Sequence, residues 1–442
     1  MFLGKFDFKR IVFLSIVGVI LIVLGVCFII ALNNYKSSSS LDNESSSNEV
    51  LSSEESTVVS SNITSGGTYK ITGKSDSIVI DSSDDVVLYL EGASITNDKG
   101  PAINVLSGKV TIVLVGENTI SSTTTEELDG AIYSKDDLIF KGDGSLKITS
   151  NLDGIVSKDD LVFNGGTFTI KVSDDGIRGK DSVVITDGVF NITSGGDGIK
   201  VTNDEDSEKG YINITGGTFV INSVGDGIQA VSKLYIKDGS FVIKTTGSDS
   251  AKGLKADTLI TIDGGSFNLN SSDDSIHSNG DLIINNGKFS LNSSDDAVHA
   301  DGMVQVNNGT FDITAHEGIE ATYVKINDGS IKISASDDGI NAGNMSNSYS
   351  TKVEINGGNI TISMGQGDTD GVDSNGDIVI NGGTISVTGQ STFDYDGTGV
   401  INGGTVICNG EKVTTLPNQF MGGMQGNQNG GQMPNGGMPG RR

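Results

Sequence analysis

Acidic side chains recur at one position of a repeat that fills most of the chain. Asp274 and Asp296 are 22 residues apart, and each stands two residues before an apolar residue of a short β-type run. Ten successive repeats have this position, which carboxylates occupy nine times: Asp153, Asp175, Asp197, Asp226, Lys252, Asp274, Asp296, Glu317, Asp338 and Asp370. We refer to these ten residues as the acidic column. If the repeats stack about 4.8 Å apart, its carboxylates repel one another unless cations separate them.

Several repeats carry a second acidic residue on the same turn, as in the pair Asp273 and Asp274. An Asp-Gly turn needs only one acid, which bonds its own backbone, so turn chemistry does not explain the doubled acids. Carboxylates, Ser, Asn and backbone carbonyls are the hard oxygen ligands that Ca²⁺ binds. The sequence therefore predicts Ca²⁺ on these turns, with the following ligands: Asp174, Asp175, Asp197, Asp226, Asp273, Asp274, Asp295, Asp296, Asp337, Asp338, Asp368 and Asp370.

A second column lies one residue after the apolar position, where side chains are expected to point outward. From Arg178 to His299 it contains only cationic or neutral polar residues, in a chain with a formal charge of −27. These cations either balance the neighbouring carboxylates or form a ledge that binds a polymer with a carboxylate on each unit. The predicted ligand-binding set is Arg178, Lys200, Lys255, His277 and His299, together with Lys158 and Lys180 just past the strand.

His277 and His299 occupy the same position in adjacent repeats. Neutral imidazoles stacked about 4.8 Å apart could bind a transition metal. No third nitrogen or sulfur ligand shares their column, and His316 belongs to a different one. Metal binding by this pair is therefore less favoured from the sequence.

These columns require a fold in which equivalent residues of successive repeats lie beside each other, one coil apart. The lap at residues 174–194 contains three short runs in which apolar and polar residues alternate. Three strands in about 22 residues predict an all-β fold, one coil of a parallel β-helix in which each strand pairs with the next coil. About 14 or 15 such coils would extend roughly 70 Å.

Two further columns support the parallel β-helix. Seven coils have a phenylalanine at one position, which predicts an internal aromatic ladder: Phe168, Phe190, Phe219, Phe241, Phe267, Phe289 and Phe311, continued by Ile331, Ile360, Ile385 and Val406. A glycine stands two residues before every one of these side chains. A left-handed backbone conformation at that turn would require glycine.

The segments outside the repeats predict how the chain is anchored. Residues 11–32 carry no charge and, as a helix of about 33 Å, would cross a bilayer core of about 30 Å. Lys5, Lys9 and Arg10 precede them, which predicts a retained transmembrane helix with residues 1–10 as a cytoplasmic stub. Lipoprotein attachment at Cys27 is less favoured, because Val26 stands where a small residue is expected.

The remaining boundaries follow from composition. Residues 33–62 form a Ser-rich linker, residues 63–413 the β-helix, and residues 414–442 a disordered tail rich in Gly, Met, Gln and Asn. The predicted location is the cell membrane with an extracellular body, or secretion if the anchor is cleaved. The two cysteines indicate no internal disulfide framework, and the acidic charge argues against nucleic acid as a partner.

The "DDGI" and "NGGTF" alternation, the apolar N-terminal segment, the Ser-rich stretch and the Gly/Met/Gln tail resemble a bacterial surface family, the carbohydrate-binding domain-containing proteins. The resemblance covers roughly residues 69–407. Such proteins are similar to pectate lyases in fold: right-handed parallel β-helices that bind calcium and acidic polysaccharide, in particular polygalacturonate. The resemblance implies calcium on Asp174, Asp175 and Asp197, and again on Asp273, Asp274, Asp295 and Asp296.

Three functions are consistent with the sequence. The favoured one is calcium-dependent binding of an acidic, pectin-like polysaccharide. The resemblance also implies a pectate-type lyase, in which Lys252 or Lys255 would abstract the proton beside a uronate carboxylate. A surface spacer or adhesin with structural calcium is the third. Even repeats argue against an enzyme, and relief of charge between Asp226 and Asp274 is the favoured role of Lys252.

Overall fold

The protein is described by a computed structural model for residues 61–125, 127–248, 250–366 and 369–418. These residues form forty β-strands and no helix. Within them no helix is long and apolar enough to cross a membrane. The predicted stub, the transmembrane segment at residues 11–32, nearly all of the linker, most of the tail, and Asp368 lie outside the described residues.

The strands follow one another at short intervals along the chain. The first twenty are β1 (Asn62–Ile63), β2 (Gly67–Ser75), β3 (Ile78–Asp81), β4 (Val86–Asn97), β5 (Ile103–Ser107), β6 (Val110–Val115), β7 (Glu117–Ser122), β8 (Gly130–Ser134), β9 (Leu138–Lys141), β10 (Ser145–Ser150), β11 (Asp153–Ser157), β12 (Asp160–Val172), β13 (Ile177–Gly179), β14 (Ser182–Ser194), β15 (Ile199–Val201), β16 (Tyr211–Ile214), β17 (Thr218–Ser223), β18 (Ile228–Ala230), β19 (Lys233–Ile236) and β20 (Ser240–Thr245). The other twenty are β21 (Leu254–Ala256), β22 (Leu259–Ile262), β23 (Ser266–Ser271), β24 (Ile276–Ser278), β25 (Asp281–Ile284), β26 (Lys288–Ser293), β27 (Val298–Val306), β28 (Thr310–Ala315), β29 (Ile319–Ile326), β30 (Ser330–Ala335), β31 (Ile340–Ala342), β32 (Lys352–Ile355), β33 (Asn359–Met364), β34 (Asp370–Ser374), β35 (Asp377–Ile380), β36 (Thr384–Thr388), β37 (Ser391–Tyr395), β38 (Gly399–Ile401), β39 (Thr405–Cys408) and β40 (Glu411–Val413).

Each strand pairs in parallel with strands of the adjacent coils, which produces three faces. The first face contains β1, β3, β5, β8, β11, β13, β15, β18, β21, β24, β27, β29, β31, β34 and β37. Long strands such as β12 and β14 turn the corner between the other two faces, where the pairing register shifts. The molecule is thus a parallel β-helix with about 15 coils of about 22 residues. This confirms the predicted β-helix.

Apolar side chains from the three faces fill the interior. The seven phenylalanines of the predicted ladder are buried, and adjacent ring centroids lie 4.5–5.1 Å apart with nearly parallel planes. Phe140 and Phe163 form a second stack, and Phe163 packs edge-on against Phe168. Offset and edge-on ring contacts add to the free energy gained by burial. The aromatic ladder predicted from the sequence is confirmed.

The glycine column forms the corner before the third-face strands. Its members have φ angles between +80° and +144°, a region that L side chains rarely adopt. At Gly239, with φ of +144°, an added Cβ would lie 2.9 Å from Cε2 of Phe241. Glycine is therefore required here both by backbone conformation and by the phenylalanine ring that packs against the corner.

A ladder of asparagines, which the sequence analysis did not identify, runs along the same corner. Each Nδ2 donates to the Oδ1 of the residue one coil earlier, at 2.6–2.9 Å. The ladder begins at the acceptor Asp263 and continues through Asn285, Asn307, Asn327, Asn356, Asn381 and Asn402. Every member stands two residues before a column glycine, so the signal was present at a fixed offset.

The C-terminal end of the body differs from the repeat. Strand β40 pairs antiparallel with β39, whereas the other strand pairs are parallel. Leu416 is buried against the last coil, and Nδ2 of Asn418 donates to the backbone oxygen of Tyr395 in β37, at 2.9 Å. These residues cover part of the last coil's open strand edge.

Candidate functional site

The acidic column lies on the turn that leads into the first face. Parallel pairing aligns the buried apolar residues that follow it, as in Ile155 with Ile177 and Ile276 with Val298. The predicted alignment of successive acids is therefore present. Asp153, Asp175 and Asp274 are buried, because the turn packs against the equivalent turns of the neighbouring coils.

Along much of the acidic column, one carboxylate oxygen accepts a hydrogen bond from a backbone N–H of the next coil. The N–H of Asp175 donates to Oδ1 of Asp153 at 2.9 Å, and the N–H of Asp197 donates to Oδ1 of Asp175 at 2.8 Å. The same bond joins Asp226 to Asp197, Lys252 to Asp226, Asp296 to Asp274, and Asp370 to Asp338, at 2.6–3.0 Å. The acids thus bond the next coil's amide, not their own backbone as turn chemistry would have predicted.

Several predicted cations face the other carboxylate oxygens. Arg178 bonds Asp129 and lies 2.6 Å from Oδ2 of Asp153, while Lys200 Nζ is 2.6 Å from Oδ2 of Asp197. These contacts match the interpretation in which cations balance neighbouring acids.

The other predicted basic residues differ in their surroundings. Lys158 lies over the ring of Tyr133, with Nζ 5.5 Å from the centroid. Burial and the charge of Arg178 lower the pKa of Lys158. For Lys180 and Lys255, no ion pair is found with any residue that the structure describes. Lys158 also lacks an ion pair within the described residues, and the charge of Lys255 partly offsets the raised pKa of Asp226.

Lys252 is held between acids of the next coil. Its Nζ bonds Asp273 and lies 3.6 Å from Oδ2 of Asp274. Burial works to lower the pKa of Lys252, but the bond to Asp273 and the charge of Asp274 raise it overall. A general base must be deprotonated to act, so these contacts match charge relief instead.

The two histidines stack as their spacing predicts, with ring centroids 4.7 Å apart and planes 7° from parallel. His277 Nδ1 is 2.6 Å from Oδ2 of Asp274. His299 Nδ1 is 2.7 Å from Oδ2 of Asp296 and 2.9 Å from Oε2 of Glu320. The partner Glu320 was missed as a functional residue, because it enters from the following coil.

Burial is the main cause of the perturbed acidity in the column. It raises the pKa of Asp153 to about 7, against the opposing charge of Arg178. It also raises the pKa of Asp338 to about 8, and the charges of Asp373 and Glu317 add to this shift. Asp274 is an exception, since the His277 bond and the Lys252 charge outweigh burial and lower its pKa. Where basic neighbours are few, the column therefore carries negative charge at an energetic cost.

The second acids of the doubled pairs do not share one environment. Asp174 and Asp295 are exposed, whereas Asp273 is buried against Lys252. One carboxylate oxygen from each of Asp153, Asp174 and Asp175 lies within 4.8 Å of the others, a donor set made only of oxygen. That chemistry fits Ca²⁺, which prefers carboxylate and carbonyl ligands.

A second acidic group lies at the other end of the first-face strands and was not predicted. One oxygen from each of Asp136, Asp137 and Asp159 lies within 4.8 Å of the others. Burial, and then a hydrogen bond with Asp181, raise the pKa of Asp159 to about 6. The repeated "SKDD" at residues 134–137 and 157–160 was the available signal.

Comparison with known proteins places this chain in a family. The family model described as "Carbohydrate-binding domain-containing protein" matches residues 54–297 and 295–415. The chain belongs to this family. A carbohydrate-binding domain-containing protein from Acetivibrio thermocellus is 36% identical over 125 residues, which cover 25% of this chain and 44% of the relative. The present chain therefore spans less than half the length of that curated relative.

A solved structure is also similar. The polysaccharide lyase-like protein from C. thermocellum, in its gadolinium derivative, is 32% identical, with a TM-score of 0.42. The similarity covers 46% of the present chain and 86% of the solved chain. Family membership supports a polysaccharide as the ligand.

Proposed function

We propose that the first-face side of this β-helix binds an acidic, pectin-like polysaccharide with the help of Ca²⁺. The observation that supports this most is the acidic column itself. Its carboxylates recur coil after coil, one oxygen bonds an amide, and burial raises the pKa of Asp153, Asp226 and Asp338. Retaining unneutralised acids in such a row is costly, and divalent cations would offset that cost.

The proposed calcium ligands are the predicted aspartates, and the exposed second acids are central among them. Asp174 and Asp295 face solvent, so an ion held there with Asp175 or Asp296 could also contact a ligand. In this proposal Ca²⁺ bridges protein carboxylates and the carboxylates of the polymer. One oxygen of Asp174 and one of Asp175 lie within 4.8 Å of each other and could hold such an ion, whereas both oxygens of the neighbouring Asp153 already contact the N–H of Asp175 and Arg178.

The basic residues of the same face would contact uronate carboxylates directly. Lys255 and Lys180 have no ion pair within the described residues and are the first choice. Arg178 and Lys200 already form ion pairs with aspartates of the acidic column. Their proposed role is to limit the repulsion between those carboxylates and to add positive charge beside the polymer. A repeating polymer suits this face because both ligand and protein present charges at regular intervals.

The proposed location is the outer face of the cell membrane. Residues 11–32 would anchor the chain, with the basic residues before them in the cytoplasm. The β-helix would then be displayed to polysaccharide outside the cell, or be secreted if the anchor is cleaved.

Affinity electrophoresis and turnover assays with polygalacturonate test the proposal. The protein should be retarded by polygalacturonate in Ca²⁺, released by a chelator, and unaffected by a neutral polysaccharide. The double variant Asp174→Asn, Asp295→Asn should lose retardation, whereas Asp143→Asn, at an exposed acid outside the column, should not. Unsaturated product that absorbs in the ultraviolet would instead indicate the lyase. If neither retardation nor product is observed, the remaining function is a spacer with structural calcium.

A further inference from the structure

The outer nitrogens of the two stacked histidines are fixed by acceptors. Nε2 of His277 is 2.7 Å from Oδ1 of Asn279, whose Nδ2 in turn donates to Oδ1 of Asp257 at 3.0 Å. Nε2 of His299 faces Oδ1 of Asp301 at 3.3 Å. Each Nε2 is therefore placed to donate a hydrogen bond to an acceptor, which is the outer contact that metal-binding histidines make.

The inner nitrogens face carboxylates. Nδ1 of His299 lies 2.7 Å from Oδ2 of Asp296 and 2.9 Å from Oε2 of Glu320. Nδ1 of His277 lies 2.6 Å from Oδ2 of Asp274. At these separations, lone pairs repel unless a proton or a metal ion lies between them.

The carboxylates are themselves held in place. Oδ1 of Asp274 accepts the N–H of Asp296 at 3.0 Å, so its Oδ2 is directed toward the histidines. Glu317 and Glu320 accept from Nδ2 of Asn341, at 3.0 and 3.1 Å. The side chains of His299 and Glu320 are only 13% and 19% exposed, which limits competition by water.

We propose that Nδ1 of His299 and the carboxylates of Asp296 and Glu320 bind one divalent transition-metal ion of the Zn²⁺ type, with His277 and Asp274 as adjoining donors. Mixed imidazole and carboxylate ligands suit Zn²⁺ and its neighbours, whereas Ca²⁺ takes oxygen ligands. Tetrahedral metal–ligand bonds of about 2.0–2.2 Å place donor atoms about 3.3–3.6 Å apart, so the two carboxylate oxygens would move away from Nδ1 of His299 by roughly half an ångström when the ion binds. The carboxylates supply the ligands that the histidine column lacks.

This site goes beyond polysaccharide binding and does not depend on it. The direct test is equilibrium dialysis of the full-length chain in detergent against Zn²⁺ with Ca²⁺ in large excess, followed by metal analysis. Co²⁺ substitution, read by its visible absorption, reports whether nitrogen and oxygen donors surround the ion. We expect one ion per chain that Ca²⁺ does not displace.

Variants assign the ion to its ligands. His299→Gln and Glu320→Gln should abolish retention of Zn²⁺, and Asp301→Ala should weaken it about 10–100-fold by removing the outer acceptor. His316→Gln is the matched control, because His316 is about half exposed and belongs to a separate acidic group. A cooperative thermal transition in each variant verifies folding.

Three outcomes would overturn the assignment. The first is no Zn²⁺ retained by the native chain in excess Ca²⁺. The second is equal retention by folded His299→Gln and native protein, and the third is loss of the ion in His316→Gln, which would place it on Glu317 and Asp337 instead. Polygalacturonate binding is not part of the readout, so its failure would count only against the proposed function.

Discussion

At the scale of single residues, the acidic column contains more charge than its hydrogen bonds need. Oδ1 of Asp338 accepts the N–H of Asp370 at 3.0 Å. An asparagine oxygen could accept the same bond without placing a charge in a half-buried site. The backbone contact therefore explains a polar side chain at this position, but not an acidic one.

Replacing Asp338 by Asn should stabilise the metal-free protein at high pH. Burial raises the pKa of Asp338 to about 8, whereas an unfolded carboxyl group titrates near about pH 4. The native state binds more protons between these two values, so its stability falls as pH rises from about 4 to about 8. We expect a gain on the order of 1–2 kcal/mol in unfolding free energy near about pH 9, and little gain at or below about pH 4. Chemical denaturation in a chelator measures both.

The control for this substitution is Asp143→Asn, at an exposed aspartate outside the column. It should change the unfolding free energy little at either pH. A loss of stability in Asp338→Asn at both pH values would mean that the carboxylate makes a favourable contact that outweighs its burial.

At the scale of strands and corners, the glycine column combines two constraints that substitution can separate. Gly239→Ala would introduce both a forbidden φ of +144° and a Cβ 2.9 Å from the Phe241 ring. We expect a loss of about 2–4 kcal/mol in unfolding free energy. Gly92→Ala, where φ is +64° and no atom lies within 4 Å of the added Cβ, should lose only about 1 kcal/mol. Equal losses would remove the steric part of this explanation.

The asparagine ladder has a direction, which a second substitution tests. Asn327 donates to Asn307 and accepts from Asn356, so Asn327→Asp removes a donor and leaves two acceptors facing each other. The expected loss is about 1–3 kcal/mol in unfolding free energy near neutral pH. Asp263→Asn should cost less, because Asp263 only accepts, from Tyr235 and Asn285. A larger loss for Asp263→Asn than for Asn327→Asp would contradict this direction of donation.

The period of the sequence was sufficient to predict these elements, but not their contacts. The Phe241 column and the Gly239 column recur once per coil, so their stacking followed from register alone. The ladder through Asn327 has the same register but was missed, because asparagine before glycine is common in any turn. The partners of Arg178 and one partner of His299, Glu320, come from other coils, and these contacts depend on side-chain rotamers, which periodicity does not specify.

At the scale of the whole molecule, a net charge of −27 and a half-buried acidic column make stability depend on pH and on cations. Unfolded carboxyl groups titrate near about pH 4. Burial raises the pKa of Asp226 to about 6, of Glu317 to about 7 and of Asp296 to about 8. The native state therefore binds more protons between these values, and its stability falls as pH rises. The lowered pKa values of Asp274, Glu320 and Glu354 oppose this trend.

Thermal melting of the metal-free protein should accordingly shift to lower temperature as pH rises from about 5 to about 8.5. Added Ca²⁺ should raise the melting temperature more at the upper end of this range, because protons compete for the same oxygens. Circular dichroism with chelator or Ca²⁺ provides the measurement. Melting temperatures that do not change with either variable would show that the column is neutralised internally.

The antiparallel strand at the end of the body has a consequence for assembly. A parallel β-helix exposes unpaired amides and carbonyls on its final coil, and such an edge recruits strands from other chains. Strand β40, Leu416 and Asn418 occupy part of that edge. Truncation before Glu411 would turn the final coil into a template on which further chains add end to end, as in a growing fibre.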